Sequence, residues 1–257
     1  MNRFAGIERL MGANSVQQLS KKHIMLIGIG GVGSWVAEAL ARSGVGKLTL
    51  VDMDEICVSN MNRQLHALED TVGKSKIAIM AERIKKINPE CTVNEIFDFF
   101  TINTAEKILG TSIDYVIDCI DSVRSKCDLI DQAKKRKIPL IVIGAAGGKF
   151  DPTQICISDL SQTKNDMLLT RIRKKLRQDY AYPRGNKKFK IPCVYSTELA
   201  AYQQSDGSVC QNKKTSENTK LDCQTGLGTA SFITGTFAFF AVSHVLKDLI
   251  KHDTHVR

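Results

Sequence analysis

Leu26-Ile27-Gly28-Ile29-Gly30-Gly31-Val32-Gly33 ends a short apolar run and opens a helical pattern, and its glycines fit G-x-G-x-x-G. Between a strand and a helix, such a turn lets the backbone bend tightly and approach a phosphate closely. The unpaired N–H groups and positive end of the following helix then face the anion. Asp52 ends the next apolar run, where an acidic side chain commonly holds ribose hydroxyls. Gly28, Gly30, Gly31, Gly33 and Asp52 suit NAD and ATP equally.

Outward from this turn, residues Lys21 to Gly144 alternate short β-branched runs with helical periods. Strands are expected at HIMLIG from His23, KLTLVD from Lys47, CTVNEIF from Cys91, DYVIDCI from Asp114 and PLIVIG from Pro139. Helices are expected over Val32–Ser43, Lys74–Ile87, Thr104–Leu109 and Val123–Lys137. This alternation predicts an α/β fold: a Rossmann-like, doubly wound parallel sheet with helices on both faces. N-terminal helices around Arg3–Met11 and Ser15–Leu19 are additions to that core.

The pattern changes after Gly147-Gly148, which divides the chain into a nucleotide-binding core over 1–150 and an extension over 151–257, expected as one continuous domain. The extension holds an apolar run, TQICIS, a basic helix from Thr170 (TRIRKKLRQDY) and the polar segment YPRGNKKFK. A polar stretch from Gln203 to Lys220 is expected to be mobile. An apolar helix closes the chain. Its segment Gly226 to Leu246 is about long enough to cross a bilayer, but Gly228, Gly235, Thr234, Thr236 and His244 interrupt it. A buried helix, or one at a homodimer interface, is the better expectation, with no stable membrane span.

At 257 residues the chain can bury a sizeable core, and 43% apolar and 25% charged residues are ordinary for a soluble globular protein. The formal charge of +9 points to a polyanionic partner such as nucleic acid or an anionic membrane surface, or to spare charge on a solvated surface. No secretory signal is visible before Gly12, so a reducing cytoplasm without disulfides is expected for the eight cysteines. No C-x-x-C pair occurs, which opposes the usual four-thiolate zinc site.

The stretch VDMDEICVSNMNRQ places Asp52 and Asp54, then Asn60, Asn62, Arg63 and Gln64, just past the second strand, where doubly wound sheets bind ligands. Lys74 and Lys76 open the next helix. A nicotinamide ring needs a dry apolar slot, whereas a triphosphate under cleavage needs cations on its oxygens. At the end of the fourth strand DCIDS supplies Asp118, Asp121 and Ser122. Asp118 suits a turn cap, and Asp121 is the preferred residue for Mg²⁺, which bridges phosphate oxygens. The GAAGG loop from Gly144 gives a second flexible loop near the same edge. Together these residues describe a nucleotidyl-transfer site.

GIGGVGSWVAEALARSGVGKLTLVDMDEICVSNMNRQ, VGKSK and DCIDS resemble the ubiquitin-activating-enzyme superfamily of adenylating enzymes. By that resemblance ATP binds the glycine turn, with Gly31, Asp52, Asp54, Asn62 and Ser122 contacting the nucleotide. Asn60, Arg63 and Lys76 would contact the phosphates, and Asp121 would bind Mg²⁺. Arg63, Lys76 and Asp121 would serve catalysis, and Arg9 from a second protomer would complete the site. Sulfur-carrier-activating members carry two C-x-x-C pairs that are absent here. The remaining segments, GGKFDPTQICISDLSQT, CVYSTE, QSDGSVC, LDCQTGLGTA and FAFFAVSHVLK, resemble the tRNA threonylcarbamoyladenosine dehydratase branch. That branch implies a tRNA substrate whose threonyl carboxylate is activated as acyl-AMP and closed into a ring with net loss of water. It also implies a homodimer and admits a sulfur-transfer protein as partner. Arg171, Arg173, Lys174, Lys175 and Arg177, followed by Arg184, Lys187, Lys188 and Lys190, would meet RNA phosphates. Cys223 would act as a covalent nucleophile or as a conformational, ligand-gating residue. Adenylation of a sulfur-carrier protein and non-catalytic nucleotide or tRNA binding are the competing readings.

Overall fold

β1 (His23–Ile27) is buried along its whole length, as a central parallel strand covered on both faces must be. Its one polar ring, that of His23, is held by Nδ1 to the Ser112 carbonyl (2.5 Å) and Nε2 to the Thr49 hydroxyl (2.8 Å). The computed structural model describes residues 3–204, 206–211 and 227–250. β1 pairs in parallel with β2 (Lys47–Val51) on one side and β4 (Tyr115–Asp118) on the other. With β3 (Thr92–Ile96), β5 (Leu140–Ile143), β6 (Ile155–Asp159) and β7 (Pro192–Ser196), they form one seven-stranded sheet in the order β3-β2-β1-β4-β5-β7-β6. Chain direction across the sheet reverses between β1 and β4, so a crevice opens at their carboxyl ends.

The two-residue alternation of the strands feeds two cores. Ile24, Leu26, Leu48, Leu50, Ile117 and Ile141 face α3 (Gly33–Arg42), α4 (Lys76–Ile87) and α8 (Ser231–Leu249). Met25, Ile27, Val116 and Val142 face α5 (Ala105–Leu109), α6 (Val123–Lys135) and α7 (Met167–Asp179). The N-terminal helices are α1 (Ala5–Met11) and α2 (Ser15–Leu19). Helix ends fall within a residue or two of the periodicity except at α8, which runs from Ser231 to Leu249 rather than Gly226 to Leu246, and at α7, which starts at Met167 because Asp166 caps it, accepting from Leu169 N at 2.9 Å.

The five strands between Lys21 and Gly144 all pair in parallel, as their alternation with helices predicts, and beyond them β6 runs antiparallel to β7, with Ile155 opposite Ser196. The short loop after β5 contains no crossover helix, so the chain cannot return to the opposite edge before starting the next strand. Of the polar stretch from Gln203 to Lys220, residues 205 and 212–220 lie outside the described residues, and its first part joins a hairpin of β8 (Tyr202–Gln203) with β9 (Val209–Cys210). Asp206 accepts from Ser208 N at 2.9 Å, and Gly207 takes φ +82°, which closes the turn.

α8 explains the apolar C-terminal segment. Ile233, Phe237, Ala241 and Val245 recur every four residues and are fully buried against the core. The helix is long and apolar enough to cross a membrane, yet half of its most apolar window is buried inside the molecule.

Candidate active site

The glycine turn sits where β1 ends. Gly28 has φ +91°, and a Cβ there would stand 2.9 Å from the Cys119 carbonyl oxygen. At Gly33 a Cβ would meet the Gly28 carbonyl at 1.9 Å, so these two glycines are required by the turn itself. Gly30 differs. The nearest atom to a Cβ there is Gln64 Nε2 at 3.9 Å, which leaves its open side free for a ligand. Gly31 lies against Arg63, whose Cγ would be 3.5 Å from a Cβ at that position.

Asp52 braces the turn. Its Oδ2 accepts from Ile29 N at 2.6 Å and its Oδ1 from Asp54 N at 2.8 Å. Each carboxylate oxygen keeps a second lone pair for a ribose hydroxyl. Lys76, at the start of α4, is buried and pairs with the Asp54 carboxylate at 2.7 Å. A phosphate at Lys76 would therefore have to compete with Asp54, which is half-exposed.

The segment between β2 and α4 is tied into the site by its own polar groups. Asn60 is buried and its Oδ1 accepts from Cys57 N at 3.1 Å. Asn62 Nδ2 donates to the Thr229 carbonyl at 2.8 Å. These contacts give Asn60 and Asn62 local structural work beside any nucleotide contact. The exposed Arg63 guanidinium donates to the Ser59 carbonyl at 2.5 Å and to Asn62 Oδ1 at 3.1 Å. Its backbone carbonyl accepts from Trp35 Nε1 on α3 and from the Thr234 hydroxyl on α8, both at 3.1 Å.

His66 is a participant the motifs did not single out. It is buried, and its Nε2 lies 2.9 Å from the Ile29 carbonyl inside the glycine turn. Burial pushes its imidazole down to about 4, with the Ile29 contact opposing and the Lys76 charge adding to the shift. The ring is thus neutral, and Nε2–H donates. In a trans peptide the N–H points opposite the C=O, so anchoring the Ile29 carbonyl directs Gly30 N–H away from His66. Gln64 Oε1, His66 Nδ1 and the Thr229 hydroxyl are buried without hydrogen-bond partners among the described residues. The signal for Gln64 and His66 lay in NRQLH, but their burial beneath the turn depends on the tertiary fold.

Across the crevice, Asp118 and Asp121 have different positions. Asp118 is fully buried, accepts from Ile120 N at 3.0 Å and pairs with fully buried Lys126 at 2.9 Å. It therefore caps the turn, whereas Asp121 and Ser122 are exposed at the rim. Among the described residues no group of three His, Cys, Asp or Glu could hold a metal unaided. One exposed carboxylate, completed by phosphate oxygens and water, is what Mg²⁺ takes in nucleotide sites, so Asp121 fits that ion.

The second glycine loop closes the same edge. Gly148 N donates to Gly228 O at 2.7 Å and Ala201 N to Gly148 O at 2.8 Å. Asp166 accepts from Ala145 N at 2.8 Å. Cys223 lies outside the described residues. Arg9 is exposed on α1, whose start is anchored at the opposite edge of the sheet by Phe4 against Gly44 and Arg3 to the Ile87 carbonyl. One chain thus builds this rim without Arg9.

A glycine turn at the switch point, a braced acidic residue, a cationic rim and a lone exposed carboxylate define a nucleotide-binding α/β protein of the adenylating class. Residues 4–257 match the ThiF family, and the chain belongs to it. It is 49% identical to tRNA threonylcarbamoyladenosine dehydratase of Escherichia coli, over 96% of this chain and 93% of that protein. It is 51% identical to the Haemophilus influenzae protein of the same name, over 97% of this chain and 94% of the relative. A crystal structure of the E. coli dehydratase in complex with ATP shares 45% identity and a TM-score of 0.85, covering 96% of this chain and 93% of that one. Within the ThiF family, the chain thus groups with the tRNA threonylcarbamoyladenosine dehydratases.

Proposed function

We propose that this protein catalyses the ATP-dependent cyclising dehydration of threonylcarbamoyladenosine in tRNA. The observation that carries the reading is the open side of Gly30 in a turn whose Gly31 lies against Arg63, with Asp121 exposed just past the end of the neighbouring strand β4. ATP occupies that crevice with its phosphates against the turn. The threonyl carboxylate attacks the α-phosphate and pyrophosphate departs. The ureido group then attacks the activated carbonyl, AMP leaves with one carboxylate oxygen, and the ureido proton passes to solvent. AMP is a far better leaving group than hydroxide, which explains the need for ATP.

Arg63 offsets charge developing on the phosphates, and Lys76 joins it when a phosphate displaces Asp54. Asp121 holds Mg²⁺, whose role is to neutralise phosphate oxygens. Gly28 and Gly33 shape the turn, while Gly30, Gly31, Asp52, Asp54, Asn62 and Ser122 surround the nucleotide. We place the enzyme in the cytoplasm as a homodimer, with Arg9 of a second copy completing the rim; sedimentation and cell fractionation test these points. A sulfur-transfer partner rests on the resemblance alone and is tested by whether such a protein changes the dehydration rate.

The deciding experiment incubates the protein with ATP, Mg²⁺ and threonylcarbamoyl-modified tRNA and weighs the nucleosides. The expected product is lighter by one water, with AMP released, and an unchanged nucleoside would overturn the proposal. Arg63→Gln and Asp121→Asn are each expected to lower kcat by roughly 10²-fold.

A further inference from the structure

Two open grooves formed by the described residues lie away from the glycine turn, and they differ in charge. One, about 580 Å³, lies along α4 and β3 and mixes Glu82 and Glu95 with Lys85 and Lys86. The other, about 460 Å³, lies along α7 and is lined by Arg173, Lys174, Arg177 and Arg184 with the neutral Thr170 and Gln178. No carboxylate lines it.

The two inner guanidiniums of this groove are held by neutral acceptors. Arg173 donates from Nη1 to the Thr163 hydroxyl and from Nη2 to the Thr170 hydroxyl at 2.9 Å. Arg177 donates from Nε to the Pro183 carbonyl at 3.2 Å and from Nη2 to the Gly185 carbonyl at 3.3 Å, with its guanidinium over the Phe189 ring. Burial and the adjacent Arg177 charge lower the Arg173 pKa from its ordinary value, and buried Asp166 at the N-cap of the same helix opposes this. Lys175, on the same helix but outside the groove lining, pairs with Asp179 at 2.6 Å. The basic strip thus divides: Lys175 is paired, whereas Arg173 and Arg177 are oriented and have no carboxylate partner among the described residues.

Asp166, which caps α7, also binds the second glycine loop through Ala145 N. At a rise of about 1.5 Å per residue, Arg173 and Arg177 lie roughly 10 and 16 Å along the helix from that rim. The groove therefore leads down the side of the molecule from the active-site edge.

We propose that this groove binds successive phosphates of the RNA strand whose modified nucleoside occupies the crevice, with Arg173 and Arg177 as fixed contacts and Lys174 and Arg184 as outer ones. This inference rests on the proposed function and adds the place where the substrate backbone is held.

The test uses Lys174→Gln combined with Arg184→Gln, both at exposed positions. The control removes the same charge elsewhere, through Lys107→Gln with Lys135→Gln, whose side chains are mostly exposed. Affinity for threonylcarbamoyl-modified tRNA is titrated against salt, alongside ATP affinity. The groove variant should bind tRNA about tenfold more weakly, and its log Kd against log salt slope should be shallower by about 1 to 2. Its ATP affinity should be unchanged, and the control should bind tRNA within about twofold of the unaltered protein. Unaltered tRNA affinity and slope would overturn the groove assignment while leaving the reaction intact. Loss of binding only to phosphatidylserine vesicles would instead assign the groove to a membrane surface. Failure of the unaltered protein to bind tRNA at all would overturn both readings.

Discussion

His66 couples the chemistry of one side chain to the orientation of the phosphate-binding peptide. His66→Gln keeps an N–H near the position of Nε2, whereas His66→Leu leaves the Ile29 carbonyl unpaired. Leucine is expected to raise the KM for ATP about tenfold with a smaller change in kcat, and glutamine to restore most of the loss. Equal KM values for the two variants would refute a positioning role. The ring also gives a pH dependence. Its pKa is about 4 in the fold against an ordinary 6.5, so below pH 6.5 the unfolded chain takes up the proton first. Stability should thus fall as pH drops from 6.5 towards 4, by about 2 kcal/mol at pH 5. Urea midpoints of the unaltered protein and His66→Gln should converge over that window; a constant gap would contradict a buried neutral ring.

Among the elements, α3 and α8 grip the Arg63 carbonyl through Trp35 and Thr234. The C-terminal helix is thereby part of the site although it contributes no charged group there. Trp35→Phe and Thr234→Val are each expected to cost about 1 kcal/mol of stability and to raise the KM for ATP a few-fold. Because both donors serve one carbonyl, the double variant should depart from additivity. A strictly additive pair would show that the shared acceptor does not couple the helices.

For the whole molecule, the seven-stranded sheet joins both halves of the chain, with β6 and β7 continuing from β5. We propose that 1–150 and 151–257 unfold together. Fluorescence of the single tryptophan, Trp35, reports the α3–α8 contact, and far-ultraviolet circular dichroism reports the whole sheet and its helices. The two transitions should coincide, and separate midpoints would show independent units. Phe237→Ala, at a fully buried position, should destabilise the entire protein by about 3–5 kcal/mol.

The sequence by itself determined the local features: the strand–turn–helix around Gly28, the alternating elements of the core, and the acidic and basic residues placed at strand ends. Periodicity and turn chemistry act over a few residues, so they can be read without the fold. Tertiary structure decided what depends on distant segments meeting. It reversed β6, buried Asp118 with Lys126 while leaving Asp121 exposed, and tied Lys76 to Asp54. It also brought His66 beneath Ile29, paired Lys175 with Asp179 and held Arg173 and Arg177 on neutral oxygens. Sequence spacing gives the charge and period of each residue, but burial and pairing arise only when other elements close around it.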